Sequence, residues 1–142
     1  MSARSKARKR ALDAIFESEV RGLAPDGTLA QRLNVPDRPM NDYTVELVRG
    51  VAAHRAEVDD VIAQYAEGWT LDRMPAVDRN VLRIGVFEIL HVDDVPDAVA
   101  VSEALALVRE LSTDESPGFV NGILGTVVRN KQEILASITP SS

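Results

Sequence analysis

Residues 71–90, LDRMPAVDRNVLRIGVFEIL, form the segment around which we predict the rest of the chain to pack. Pro75 suits the start of a helix, because its missing N–H group costs nothing in the first turn. At about 100° per residue, the apolar side chains that follow point nearly all round the helix axis. They are Val77, Val81, Leu82, Ile84, Val86, Phe87, Ile89 and Leu90. A helix that is apolar on every side belongs inside a protein, so Asp72–Leu90 is predicted to be a central buried helix.

The alternative interpretation of this segment is a buried strand, since valine, isoleucine and phenylalanine are enriched in strands. Its length favours a helix. The whole chain has 142 residues, no cysteine and only 4% aromatic residues. That composition is typical of one helical domain large enough to bury its own core. We therefore predict an all-α fold of about six or seven helices.

The other helices are predicted from the spacing of apolar residues and from the turn residues between them. Gly22 ends the first helix, Gly68 ends a long run with a bend near His54–Ala56, and Ser116 caps the last helix. The predicted ranges are 3–21, a short helix within 28–33, 42–65, a helix with the apolar positions Val101, Leu105, Val108 and Leu111, and 116–138. Trp69 is predicted to pack at the junction with the central helix, and a surface-binding role is the alternative.

The charge of the chain is unevenly distributed. Residues 1–12 contain five basic residues and no acidic one, which leaves 11 basic and 22 acidic residues for the rest. The five are Arg4, Lys6, Arg8, Lys9 and Arg10. Cations clustered in this way can neutralise phosphates and release counterions, so the basic arm predicts an anionic partner. A solubilising tail is the alternative, although the arm runs directly into an amphipathic helix without a flexible linker.

A second candidate site is the segment 112–125, STDESPGFVNGILG. Ser116 and Pro117 predict a helix N-terminus, whose free N–H groups suit an anion. Phe119 in the first turn could stack on an unpaired base or could belong to the core, and both interpretations stay open. Glycine is costly in a helix interior, so close approach of another backbone or of a ligand is predicted along this helix. The residues concerned are Gly118, Gly122 and Gly125, with Asn121 predicted to bond a neighbouring backbone group.

Several classes of function are not indicated. His54 and His91 are the only histidines, and neither belongs to a spacing typical of a metal site. No glycine-rich phosphate loop occurs. No apolar run reaches the ~18 residues of a membrane span, and the N-terminus lacks the apolar region of a signal peptide. We therefore expect a cytoplasmic protein that is not an enzyme and uses neither a cofactor nor a metal.

Four segments together resemble the NusB family of bacterial transcription antitermination factors. They are AVDRNVLRIGVFEI at 76–89, DVP at 94–96, VSEALALVREL at 101–111 and FVNGIL at 119–124. The basic run before an amphipathic first helix also matches, so the resemblance covers essentially the whole chain. It implies an all-helical fold of two small subdomains around a central helix. We expect a single domain over residues 1–142, with a basic arm at 1–10 and a frayed tail at 139–142.

The resemblance also implies a function in transcription. Members of the family bind the boxA element of nascent ribosomal RNA transcripts as a heterodimer with the ribosomal protein NusE. That complex joins other Nus factors on RNA polymerase and opposes premature termination, without catalysis or a cofactor. Some relatives self-associate through the RNA surface, which leaves a homodimer open. The alternatives are an acidic helical protein-interaction module, and an RNA-targeting domain like those fused to rRNA cytosine methyltransferases.

Site residues follow from the resemblance as well. The basic RNA-binding motif of the family falls on Lys6, Arg8, Lys9 and Arg10, with Arg4 in the same run. Further RNA contacts fall on Phe16, Glu115 and Phe119. A protein-partner surface is implied on the exposed side of the central helix, at Asp78, Arg79 and Glu88. Phe16 stands where some relatives have tyrosine, so a hydroxyl contact to RNA would be absent.

Overall fold

A computed structural model describes residues 2–24, 27, 28, 31 and 41–138 of the chain. Within these residues there are seven α-helices and no strand, which confirms the predicted all-α class. The helices are α1 (Ala3–Arg21), α2 (Asp42–Ala53), α3 (Arg55–Tyr65), α4 (Ala76–His91), α5 (Asp97–Leu111), α6 (Ser116–Arg129) and α7 (Lys131–Ile138). Most of the short helix predicted within 28–33, and the whole tail 139–142, fall outside the described residues.

The chain divides into two compact units, residues 1–54 and residues 55–142. This division agrees with the two small subdomains that the family resemblance implies. The first unit contains α1 packed on α2, and the second contains α3 to α7. None of the helices in the described part of the chain has both the length and the apolar character that crossing a bilayer requires.

The helix α1 of the first unit has well-defined ends, and one buried side-chain hydrogen bond joins α1 to α2. The Ser2 hydroxyl accepts a hydrogen bond from the Ser5 N–H at 3.0 Å, so α1 has an N-cap. Gly22 has a left-handed conformation with φ of 67°, and it ends α1 as predicted. The Thr44 hydroxyl of α2 donates to the Ala7 carbonyl of α1 at 3.1 Å, and both residues are buried. These contacts fix the cationic end of α1 against α2.

The predicted central helix is confirmed as α4. Every residue from 80 to 90 is buried, and α3, α5, α6 and α7 all pack on this helix. The helix begins at Ala76, four residues later than predicted, because Pro75 disfavours a helical conformation at Met74. Residues 71–73 form a separate 3-10 turn. Within this turn, a side-chain hydrogen bond with Thr70 lowers the pKa of the exposed Asp72.

An ion pair between a buried arginine and a half-buried aspartate joins α4 to α3. The Arg83 guanidinium, only 4% exposed, donates through Nε to Asp59 Oδ1 at 2.8 Å and through Nη2 to Oδ2 at 3.1 Å. Its Nη1 donates to the amide oxygen of Asn80 at 2.9 Å. Arg55 donates to the same carboxylate at 3.1 Å from a position that is 36% exposed. Arg83 is therefore a charge that is buried on folding and paired in a two-point geometry.

Two predictions about the last helices were wrong in detail. The buried face of α5 is Ala100, Ala104, Leu107 and Val108, so only Val108 of the predicted apolar positions belongs to it. Leu111 is 38% exposed. Ala100 and Ala104 are buried because their small side chains allow close helix packing, whereas the predicted positions are larger residues. The predicted single helix 116–138 is interrupted at Asn130, whose amide donates to the Thr126 carbonyl at 2.9 Å.

The close approach predicted along the α6 glycines was also wrong for this chain. A Cβ atom at Gly118 or Gly122 would meet no atom within 4 Å, and at Gly125 it would meet only the Arg129 guanidinium at 3.5 Å. The side chain of Asn121 is exposed and makes no hydrogen bond among the described residues. The close approach occurs instead at Gly85 of α4, where a Cβ would lie 3.0 Å from Leu124 Cδ1. Gly85 of α4 therefore allows Leu124 to pack closely, whereas Gly118 and Gly122 of α6 face open space.

We expect alanine substitution to have opposite effects at these two kinds of glycine. Gly122→Ala should raise the free energy of unfolding by about 0.5–1 kcal/mol, because alanine is the better helix former and the added methyl meets nothing. Gly85→Ala should lower it by about 1 kcal/mol, because the clash with the fully buried Leu124 outweighs the gain in helix propensity. Urea denaturation of both variants would measure the two changes. A change in the free energy of unfolding with the same sign in both variants would contradict this description of the packing.

Candidate nucleic-acid interface

The cationic run at the start of α1 is divided between two faces of the helix. Arg4 and Arg8, one turn apart, both point to the ring of Tyr43 in α2, with their Cζ atoms 4.3 and 5.6 Å from its centroid. Arg8 and Tyr43 are only 3% and 6% exposed. Guanidinium groups at these distances are held by the negative face of the ring. These two arginines therefore anchor the start of α1 to α2.

The other three cations lie on the opposite side of α1. Lys6 and Arg10 are exposed and Lys9 is half-buried. Helical spacing places these three within about 100° of one another, with Phe16 beside Lys9 two turns further along. Phe16 is 40% exposed. The described surface of α1 thus combines cations with an aromatic ring, which is the combination that single-stranded nucleic acids bind.

A cleft of about 240 Å³ opens in the second unit, next to the start of α6. Its apolar walls are formed by Trp69, Met74, Pro75 and Phe119. The rings of Trp69 and Phe119 meet edge to face, with centroids 6.0 Å apart and planes at 68°. Trp69 lies next to the turn that leads into α4, as predicted, but it is 51% exposed and so is not part of the interior. Phe119 is half-buried and lines the cleft, which is intermediate between its two predicted positions.

A network of hydroxyl groups and one carboxylate forms the polar side of this cleft. Asp78 of α4 accepts hydrogen bonds from the Ser112 hydroxyl at 2.6 Å and from the Ser116 hydroxyl at 2.8 Å. The Thr113 and Ser116 hydroxyls lie 2.8 Å apart. Asp78 is 3% exposed, and within the described residues no lysine or arginine pairs with it. Glu115 lines the cleft from its exposed rim.

The sequence model of the NusB family matches residues 5–129, which include the cationic helix and the start of α6. The chain belongs to the NusB family. The match covers most of the chain and confirms the resemblance described from its motifs.

Individual members of the NusB family are similar to this chain over nearly their whole length. The transcription antitermination protein NusB of Nocardioides sp. is 63% identical over 134 residues, which cover 94% of this chain and 99% of that protein. The transcription antitermination protein NusB of Arthrobacter sp. is 54% identical over 136 residues, with coverages of 96% and 100%.

Solved NusB structures share the fold. T. maritima NusB superposes with a TM-score of 0.81 at 29% identity, covering 96% of this chain and 99% of that chain. A crystal structure of antitermination factors NusB and NusE in complex with dsRNA contains a chain with a TM-score of 0.77 and 25% identity. That match covers 89% of this chain and 96% of the other.

The position of α4 at the centre of the NusB fold corrects the predicted partner surface. Asp78 and Glu88 are 3% and 1% exposed, so the expectation that they lie on an exposed side of the helix is wrong. Arg79 is half-buried, and its Nη1 donates to the carbonyls of Leu71 and Met74 at 2.9 and 3.1 Å. Because other helices surround α4, its charged side chains form internal hydrogen bonds instead of presenting a surface.

The structure also corrects two details of the predicted RNA site. Arg8 is buried against Tyr43, so it is not open to a phosphate in the way that Lys6 and Arg10 are. Ser116 does not cap α6 with its hydroxyl, which bonds Asp78, and the N-cap position belongs to Glu115. Tyr43 is a contributor to these surfaces that the sequence did not single out, and Trp69 was given a surface role only as the alternative interpretation. Their roles depend on contacts between elements distant in sequence.

Proposed function

We propose that this protein is a non-enzymatic transcription antitermination factor that binds RNA through the exposed cationic face of α1. The observation that carries the proposal is the joint exposure of Lys6, Arg10 and Phe16 on a helix that is anchored at its start to α2. Lysine and arginine neutralise phosphates, and an exposed ring can stack on an unpaired base. The antitermination function of similar NusB proteins supports the same conclusion.

The proposed RNA is the boxA element of nascent ribosomal RNA transcripts, and the proposed protein partner is NusE. A chain with the same fold occurs in a complex of NusB, NusE and dsRNA, which supports both partners. Through this complex the protein would act on RNA polymerase together with other Nus factors, and hence in the cytoplasm where transcripts are made. We propose that residues 1–142 act as one domain and that Glu115 and Phe119 contribute to the RNA surface.

A titration of boxA RNA tests the proposal directly. Labelled boxA and scrambled RNA would be titrated with the full chain, with and without NusE, over a series of salt concentrations. Three phosphate contacts on single-stranded RNA predict that the logarithm of the binding constant falls with the logarithm of the salt concentration at a slope of about −2. NusE should raise the affinity for boxA more than that for the scrambled sequence. Binding that is independent of salt, sequence and NusE would contradict the proposal and favour an acidic protein-interaction module.

A further inference from the structure

We propose that His54, Glu57 and His91 form a binding site for one divalent transition-metal ion, with zinc as the preferred metal. The ligand atoms of these three side chains all lie within 4.8 Å of one another. Both histidines of the chain thus meet at one carboxylate. The inference goes beyond the proposed function, because the site needs neither RNA nor a protein partner.

Glu57 and His91 are the two ligands that the helices hold in place. Glu57 lies in the first turn of α3, and His91 is the last residue of α4. His91 Nε2 lies 2.5 Å from Glu57 Oε1, and each of the two side chains is 23% exposed. The buried ring of Phe87, one turn earlier in α4, lies against the imidazole with the two centroids 5.6 Å apart. The imidazole is therefore oriented with its Nε2 toward the carboxylate.

His54 supplies the third ligand from the position directly before α3. It is half-buried and precedes Glu57 by three residues, a spacing that brings two side chains together at a helix. His54 is bonded to Arg55, the first residue of α3, so its place at the site follows from the start of α3 and not from the arrangement of residues 1–53. Spacing in the sequence did not indicate this cluster, because His91 belongs to a different helix.

The three side chains match the ligand preferences of zinc. Two histidines and one carboxylate bind zinc in known proteins, with a water molecule completing a tetrahedron. All three side chains are half-buried, so water can reach the fourth position. Zinc bonds of about 2.0–2.1 Å place neighbouring ligand atoms roughly 3.3 Å apart, so His91 and Glu57 need to separate by less than about 1 Å. Magnesium and calcium prefer oxygen ligands and fit this set poorly.

Metal binding at this site exchanges a proton for the ion. The hydrogen bond between His91 and Glu57 holds one proton between Nε2 and Oε1. When zinc takes that position, the proton leaves to water, Nε2 binds the ion through its lone pair, and the carboxylate binds in its charged form. The ion then cross-links the start of α3 to the end of α4. Because it binds the folded chain, it stabilises that state by mass action.

Calorimetric titration of the full chain, free of any histidine tag, measures the binding directly. We expect one zinc ion per chain and no heat of binding from magnesium or calcium at the same concentration. Zinc at about a hundred times its dissociation constant should raise the Tm by roughly 5–10 °C. The imidazole signals of both histidines should shift together in NMR spectra as zinc is added. Absence of zinc binding, or a shift of only one imidazole, would overturn the inference.

Variants of the carboxylate assign the binding to this cluster. Glu57→Gln should weaken zinc binding by more than about tenfold, because a neutral amide is a poor zinc ligand, and Glu57→His should restore it. The matched control is Glu133→Gln, which removes an exposed carboxylate of α7 outside the cluster and should leave the affinity for zinc unchanged. Equal affinities in Glu57→Gln and the original chain would contradict the site. Equal losses in Glu57→Gln and Glu133→Gln would do the same, because they would show a response to overall charge.

A further variant separates loss of the metal from loss of the fold. His54→Ala leaves the contact between Glu57 and His91 in place, so its circular dichroism spectrum in EDTA should equal that of the original chain. The rise in Tm on addition of zinc should be lost in this variant. A rise as large as in the original chain would show that His54 is not a ligand, and the three-residue site would be wrong.

Discussion

Replacing Arg83 with alanine should lower the free energy of unfolding by about 3–5 kcal/mol. The substitution removes the guanidinium that bonds both oxygens of Asp59 and the amide of Asn80. Asn80 is fully buried, so its amide oxygen would lose this donor away from water, and Asp59, which is 26% exposed, would keep its bond to the more exposed Arg55. Removing a charged donor from a buried acceptor is costly for this reason, and the loss of packing around α4 adds to it.

The neighbouring Arg55 provides the control for this prediction. It bonds the same carboxylate in an i,i+4 geometry but is 36% exposed, so Arg55→Ala should cost less than about 1 kcal/mol. Replacing both members of the pair, Asp59→Leu with Arg83→Met, should cost less than Arg83→Ala alone because methionine refills the space of the guanidinium and the half-buried carboxylate is removed. Urea denaturation followed by circular dichroism would measure all three. Similar losses for Arg83→Ala and Arg55→Ala would contradict the importance assigned to burial.

Neutralising the three cations on the cationic face of α1 should have the largest effect on RNA binding. When Lys6, Lys9 and Arg10 are all changed to glutamine, the slope of the logarithm of the binding constant against the logarithm of the salt concentration should become less negative by about 2. The affinity for RNA at 0.1 M salt should fall about 100-fold. Arg8 is left in place because it is buried on Tyr43, and its replacement would disturb the packing of α1 on α2. Fluorescence anisotropy with labelled boxA RNA over a salt series would measure both quantities.

A second triple variant separates a specific surface from the net charge of the protein. Arg49, Arg109 and Arg129 are exposed and lie on other helices. Changing these three to glutamine alters the net charge by the same amount, but the slope should stay within experimental error of the original. Equal losses in the two triple variants would show that the RNA responds only to overall charge, and the α1 surface would then be wrong.

The all-α class and the central helix could be predicted from sequence because they depend on local periodicity. The apolar residues of α4 surround its axis, and this pattern alone requires neighbours on every side. The α5 face could not be predicted in the same way. Ala100 and Ala104 are buried because their small side chains let two helices approach closely, which depends on the partner helix and not on their own hydrophobicity.

The candidate site was predictable to a similar extent. The spacing of the basic run places Lys6 and Arg10 near one another on α1, and the structure exposes both. The same spacing cannot show that Arg8 meets a tyrosine 35 positions later in the chain. The burial of Asp78 depends in the same way on hydroxyl groups of Ser112 and Ser116, which α5 and α6 bring to it. Contacts between distant elements thus decided which charged residues remain at the surface.

The fit of Leu124 over Gly85 has a consequence for the cleft at the start of α6. Because Gly85 has no side chain, α4 has a gap there that the Leu124 side chain fills. Any sliding of α6 along α4 would break this packing contact. Each residue of slippage would translate α6 by about 1.5 Å. Phe119 precedes Leu124 on the same helix. The packing of Leu124 on Gly85 therefore also sets the distance between Phe119 and Pro75 across the cleft. A side chain introduced at Gly85 would displace Leu124, and α6 would carry this displacement to Phe119. The width of the cleft would then change although the new side chain touches no residue that lines it.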